Sequence, residues 1–180
     1  MRIISGKYKG KRLNAPKNLP VRPTTDMAKE ALFNILANRF FFEDVAVFDL
    51  FSGTGNISFE FASRGAQHIT AVDVNSKCAQ FISKTATALD FEISVIKSDV
   101  FKFLERTKNK ADIIFADPPY AMETPLLRKI PEQVFQNDML KEGGLMVIEH
   151  GLQINLSDQE YFSESRKYGS SVFSFFEKLA

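Results

Sequence analysis

From residue 45 onward the chain alternates short apolar runs with longer segments whose apolar positions recur every three or four residues. The short runs are rich in β-branched and aromatic residues, which predicts buried strands over 45–50, 69–73, 92–96, 111–116 and 145–149. The periodic segments predict helices over 57–64, 76–89, 100–107 and 125–135. Such alternation implies an α/β domain, with a mostly parallel sheet and helices on both faces. Past Gly151 the rhythm changes. Residues 165–168 and 171–176 face each other across Gly169 and Ser170, which predicts a closing antiparallel hairpin.

Ahead of this region, residues 2–5 and 11–13 flank a turn carrying Gly6 and Gly10, the pattern of a short basic hairpin. Pro16, Pro20 and Pro23 make residues 14–23 an extended linker. Thr24 or Thr25 then caps a helix over about 26–38, with Met27, Ala31, Leu32, Ile35 and Leu36 expected on its core face. Phe40, Phe41 and Phe42 follow as an apolar plug.

Composition adds little until charge is divided along the chain. The 180 residues suit one domain, with an arm at residues 1–23 and a body at 24–180. Residues 1–30 hold eight Lys/Arg against two Asp/Glu, whereas the other 150 hold fifteen against twenty. A net charge of +1 therefore hides a basic arm on an acidic body, and a basic arm points to a polyanionic partner. One cysteine, Cys78, excludes an internal disulfide and suits a reducing compartment. With His68 and His150 the only histidines, a metal centre is not expected. No apolar run reaches membrane-spanning length and no secretory pattern opens the sequence, so a cytoplasmic protein is expected, as a monomer.

Candidate chemistry gathers where strands end. Asp117, Pro118, Pro119 and Tyr120 follow the apolar run 111–116. The two prolines stiffen the loop, so a carboxylate, a free main-chain carbonyl at Pro118 and an aromatic face stand within four residues. That set suits a planar amine: two acceptors take its hydrogens and Tyr120 stacks on its ring. Asp49 ends the first strand and leads through Phe51 into Gly53 and Gly55, ahead of a helix. Position 58 is Ser where a dinucleotide fingerprint has its third glycine, and Asp49 would repel a diphosphate but suit a cationic amino group. Asp73, 20 residues beyond Gly53, is placed to chelate ribose hydroxyls, and Asp99 to accept from an adenine amine. Any one of these carboxylates alone would serve as a helix cap. Together with the glycine loop, Asp49, Asp73, Asp99 and Asp117 describe a ligand with an amino group, a ribose and an adenine but no diphosphate, namely S-adenosylmethionine.

With those residues in view, the sequence resembles the RsmD family. The run from Asp49 to Gly55 with that from Asp117 to Tyr120 is similar to amino-group methyltransferases generally. The run from Met1 to Leu13, that from Arg22 to Asp26 and that from Glu30 to Leu36 carry the specific resemblance, supported by Ser63 to Ala66, Glu149 with His150, and Lys167 to Glu177. Position 56–58, occupied by Asn56, Ile57 and Ser58, departs from the smaller residues expected there. The resemblance implies a Rossmann-like seven-stranded sheet with an antiparallel hairpin at its end. It implies transfer of a methyl group from S-adenosylmethionine to the N2 amine of a guanine in 16S ribosomal RNA or the small-subunit particle. Asp117, Pro118 and Tyr120 would hold the target base, and Lys7, Lys9, Lys11, Arg12 and Arg22 would hold phosphates.

Four rival readings share parts of this pattern. A DNA adenine-N6 methyltransferase uses the same tetrapeptide but needs a target-recognition region for which 180 residues leave little room. A protein-glutamine methyltransferase would carry Asn at position 117, and a nicotinamide dehydrogenase is opposed by Ser58 and Asp49. A non-catalytic RNA-binding module would have no need of Asp117 and Tyr120 together.

Overall fold

A computed structural model describes residues 1–19 and 21–178; Pro20 of the linker and the last two positions of the body lie outside the described residues. The body is a seven-stranded sheet in the order β3-β2-β1-β4-β5-β7-β6. Its strands are β1 (Ala46–Leu50), β2 (His68–Asp73), β3 (Ile93–Lys97), β4 (Ala111–Ala116), β5 (Leu140–Gly151), β6 (Phe162–Tyr168) and β7 (Ser171–Phe176). The first five are parallel, and β7 runs antiparallel between β5 and β6. The helices are α1 (Asp26–Ala37), α2 (Asn56–Ser63), α3 (Ser76–Ala88), α4 (Val100–Arg106) and α5 (Thr124–Gln136). Among the described residues no helix is long and apolar enough to cross a membrane.

The twofold alternation of the central strands divides the core cleanly. Phe48, Leu50, Ile114, Ala116, Met146 and Ile148 pack with α4 and α5 on one face. Val47, Ile113, Phe115, Leu145 and Val147 pack with α1 and α2 on the other. Runs buried on both sides are what a central parallel sheet requires. All eight residues of α2 are buried, because the sheet lies below it and the N-terminal arm above. Ile3 and Leu13 of that arm share a cluster with Phe59, Ala71 and Ile82, so the arm is fastened to the body by its own apolar residues.

Three expectations need correction. The N-terminal hairpin is narrower than residues 2–5 and 11–13: around the antiparallel bridge between Arg2 and Arg12, the Ile3 N–H donates to the Lys11 carbonyl, Gly10 to Ile3 and Leu13 to Met1, while the residues beyond turn to α2. Ile4 and Ser5 donate N–H bonds to the Glu60 carboxylate, and Lys7 donates to the Ser63 carbonyl. A Cβ on Gly6 would lie 1.8 Å from that carbonyl oxygen, so only glycine permits the approach. Second, the buried face of α1 is turned from the one expected: Ala28, Lys29, Leu32, Phe33 and Leu36 face inward, whereas Met27 is 62% exposed. Third, the phenylalanine plug is divided. Phe42 meets Phe33 and Phe61 edge-on and Phe40 joins the same cluster, but Phe41 is 84% exposed.

Candidate active site at the carboxyl ends of the strands

Asp73, Asp49, Asp117 and Glu149 stand at the carboxyl ends of β2, β1, β4 and β5, four neighbouring strands. Each falls in phase with the residues that face α1 and α2, so the four carboxylates project on one side of the sheet. Sequence had placed Asp99 in this row. Asp99 lies two positions beyond β3, exposed, where one oxygen accepts from the Lys102 N–H as the cap of α4. Glu149, whose role the sequence left open, takes the fourth place.

Each carboxylate has its own surroundings. Asp49 is 1% exposed, and its Oδ2 accepts from both the N–H and the hydroxyl of Ser58, at 3.1 and 2.6 Å. Ser58, the departure from the fingerprint, is thus what fastens Asp49 to α2, and Oδ1 is left for a ligand. Burial pushes the Asp49 carboxyl up to about 7 despite those two bonds. Asp73 accepts from the Gly53 N–H at 2.8 Å and from the Asn75 N–H at 2.8 Å, which ties the glycine loop to the end of β2. Asp117 is held well above the usual carboxylate range, first by burial and then by the charges of Glu149 and Asp49. Glu149 is raised by burial, against which the Thr24 hydroxyl, donating at 2.5 Å, the Ser171 hydroxyl and the charge of Arg22 favour its ionised form.

The loop between β1 and α2 is shaped for close approach. Phe51 has φ +57°, a left-handed conformation costly for an aromatic residue and typical of sites where geometry matters more than comfort. Gly55 has φ +84°, and a Cβ there would lie 2.9 Å from both Ile82 and Phe59. Its glycine is therefore demanded by the α2–α3 packing as much as by any ligand. The Ser52 hydroxyl is buried without a partner among the described residues, an unspent polar group inside the loop. After β4, Pro118 is buried and its carbonyl takes no bond among the described residues, while the Pro119 carbonyl accepts from the Met122 N–H. Tyr120 stands 76% exposed beside them. The Pro118 carbonyl and the Tyr120 ring are thus both open beside Asp117.

Among the described residues, no Lys or Arg forms an ion pair with this row of carboxylates. That donor set repels a diphosphate and fits a cation bearing hydroxyls to chelate, which S-adenosylmethionine is. His150, next to Glu149 on the chain, points to the opposite face. Its Nδ1 pairs with the Gly151 carbonyl and its Nε2 with the Ser174 hydroxyl, and burial holds the imidazole below its ordinary value.

Of the proposed phosphate contacts, Lys7, Lys9, Lys11, Arg12 and Arg22 are all exposed. Lys29, counted with them in the basic arm, is not. It is fully buried, with Nζ 3.3 Å from Glu60 Oε1 and donating to the Arg2 carbonyl and to Asn56 Oδ1. Sequence reasoning missed this ion pair, and only the turned face of α1 could have revealed it.

Sheet order, with β7 wedged antiparallel beside β5, places the domain among Rossmann-like methyltransferases. It superposes on a hypothetical protein of Thermus thermophilus with a TM-score of 0.85, at 25% identity and over 99% of each chain. The family described as Conserved hypothetical protein 95 matches residues 1–177. Ribosomal RNA small subunit methyltransferase D of Buchnera aphidicola subsp. Baizongia pistaciae is 33% identical over 86% of this chain and 78% of its own. The protein of that name from Escherichia coli K12 is 31% identical over 87% and 77%. The chain belongs to this family, that of ribosomal RNA small subunit methyltransferase D.

Proposed function

We propose that the protein methylates the exocyclic N2 amine of a guanine in 16S ribosomal RNA, with S-adenosylmethionine as the methyl donor. The observation that carries the reading is Asp117: a carboxylate at the end of a central strand, followed by the Pro118 carbonyl, without a partner among the described residues, and the open ring of Tyr120. The cofactor supplies a methyl group on a positively charged sulfur. Asp73 is the residue to chelate its ribose, Oδ1 of Asp49 to face its amino group, and the free oxygen of Asp99 to take its adenine amine. Phe51, Gly53 and Gly55 shape the wall against which it would lie.

The nitrogen lone pair of guanine N2 is delocalised into the ring, so the amine is a weak nucleophile. Asp117 and the Pro118 carbonyl accept its two hydrogens, turn the lone pair out of conjugation and favour positive charge developing on nitrogen. Positive charge bound along the carboxylate row draws Asp117 back toward its ionised, accepting form. Tyr120 stacks on the base, a contact worth roughly 1–3 kcal/mol. A paired guanine could not reach this loop, so the target must be flipped out or already unstacked. Lys7, Lys9, Lys11, Arg12 and Arg22, on the arm spanning residues 1–23, hold phosphates and set register.

The test is Asp117→Ala, assayed with labelled cofactor on 16S RNA and small subunits from cells lacking the protein. Transfer is expected to fall by about 10²-fold or more, with cofactor affinity largely retained, and the wild-type product to digest to N2-methylguanosine. Label recovered only as methyladenine in duplex DNA would replace this reading with the DNA enzyme. Parallel loss of cofactor binding in a folded variant would remove Asp117 from the target-amine role.

A further inference from the structure

Glu149 carries more than a strand end needs. Ala116 of β4 and Ile148 of β5 are paired in the sheet, so Asp117 and Glu149 are the next residues of two adjacent parallel strands, on the same face. Glu149 is 6% exposed and receives the Thr24 hydroxyl at 2.5 Å. Thr24 is itself held: its carbonyl accepts from Asn56 Nδ2 at 3.1 Å, and Asn56 Oδ1 accepts from Lys29 Nζ at 2.8 Å. A continuous set of buried bonds therefore runs from the root of the arm, through the residue before the α1 cap, to a carboxylate beside Asp117. A buried and a half-buried carboxylate side by side disfavour each other's ionisation, an arrangement rarely kept unless the site uses it.

We propose that Glu149 is a positioning residue for methyl transfer: clamped by the Thr24 hydroxyl, it stands beside Asp117 and strengthens that carboxylate as acceptor of the target amine's hydrogens. The proposal rests on the methyltransferase reading and deepens it. When nitrogen bonds to the incoming methyl carbon, the carbon–sulfur bond breaks and its electron pair stays on sulfur. The methylated nitrogen then sheds one proton, and Asp117 is the acceptor within the loop. A negative neighbour raises the proton affinity of Asp117, which makes it the better acceptor at that moment.

The charged and titratable groups around Asp117 limit what else could produce such an effect. Asp49 acts on it from β1 and Glu149 from β5; Arg22, on the linker, acts on Glu149. Asp73 acts on Asp49 from β2, and His150 faces the other side of the sheet. Of these, only Glu149 is fixed by a hydroxyl from the segment that joins the arm to the body.

The experiment compares wild type with Glu149→Gln, Thr24→Val, Thr24→Ser and Asp117→Asn. The first readout is the titration of the Asp117 carboxyl carbon in cofactor-free protein, by ¹³C NMR of aspartate-labelled samples, assigned by the signal missing from Asp117→Asn. The second is single-turnover methyl transfer against pH. Glu149→Gln keeps the shape and the Thr24 contact but removes the charge. The Asp117 midpoint should move to lower pH, the acid limb of the rate profile should move with it, and the maximal rate should fall about tenfold. That is less than the roughly 10²–10⁴-fold a proton-accepting group itself contributes. Thr24→Val should move both readouts the same way by a smaller step, since Glu149 then ionises less readily, and Thr24→Ser should restore them. Cofactor affinity should stay within about twofold. An unmoved Asp117 titration in folded Glu149→Gln overturns the proposal, as does an unmoved acid limb. If Glu149→Gln fails to fold, Thr24→Val and its serine rescue decide by the same readouts. Full transfer by Asp117→Asn would instead refute the amine-acceptor role assigned above, while the NMR titration still reports on the pair.

Discussion

Lys29→Met replaces the ammonium buried between the arm and α2 with an uncharged chain of similar length. Three groups lose a partner: Glu60 Oε1 at 3.3 Å, the Arg2 carbonyl at 2.6 Å and Asn56 Oδ1 at 2.8 Å. Breaking a buried ion pair from one side costs roughly 3–5 kcal/mol. Glu60 is not wholly abandoned, because Arg64 stays at 2.8 Å and the N–H groups of Ile4 and Ser5 remain on its carboxylate. That argues for the lower end of the range. Two stranded acceptors add about 1 kcal/mol or more, for a loss near 4 kcal/mol. At about 2–4 °C per kcal/mol for a chain of this length, Tm should fall by roughly 10 °C. Thermal and urea unfolding read this directly. Trypsin supplies a second measure, since a loosened arm exposes cleavage after Lys7, Lys9 and Lys11 before the body unfolds. Adding Glu60→Gln gives up the Arg64 pair and one acceptor of the Ile4 and Ser5 N–H groups as well, so the double variant should be no more stable than the single one. A drop under about 1 kcal/mol would refute the assignment of Lys29 and Glu60 as the fastening of the arm.

Three further outcomes are expected. With its carboxyl raised from 3.8 to about 7, folded Asp49 keeps a proton that the unfolded chain releases, so stability is present at acid pH and lost as pH rises from about 4 through 7, by about 4 kcal/mol. Asp49→Asn should flatten urea-derived stability against pH by that amount, and an unchanged slope would count against it. Gly55→Ala should cost about 3 kcal/mol, from the left-handed backbone at φ +84° and from contacts at 2.9 Å with Ile82 and Phe59, as read by chemical denaturation. Replacing Lys7, Lys9 and Lys11 together by Gln should reduce the slope of log affinity for 16S RNA against log salt by about 2 to 3, and an unaltered slope would remove the arm from the phosphate contacts.

Much of the sheet could be read from the chain because its strands are buried on both faces, and such runs announce themselves by composition alone. Strand β4 is found where the pattern put it, and Asp117 with it. Helix α1 is where the prediction placed it, yet its face is not, because Lys29 counted as polar and so could not mark an inward position. That a lysine is buried depends on Glu60, far along the chain on α2, and no local period carries such information. The role of Glu149 stays open in the sequence for a related reason. A glutamate after an apolar run looks like an ordinary strand end until β4 is known to lie alongside. Asp99 was counted in the row although the expected strand already stopped at 96; β3 ends at Lys97, and past that point the chain no longer alternates with the sheet, so the Asp99 carboxylate turns to the cap of α4.

The place of β7 bears on how the chain survives its own folding. The sheet cannot be laid down in order of synthesis, because β7 inserts between β5 and β6, both made earlier. Until residues 171–176 arrive, the flank of β5 over 146–151 is an unpaired edge whose strand carries Met146, Val147 and Ile148 on its two faces. An apolar open edge is a template for pairing with another chain. The interval between completion of β5 and docking of β7 is therefore when two nascent or thermally opened copies are most prone to adhere. Charge is concentrated on the strand that waits outside, with Glu164, Arg166 and Lys167 on β6, where it guards the finished edge but not the unfinished one.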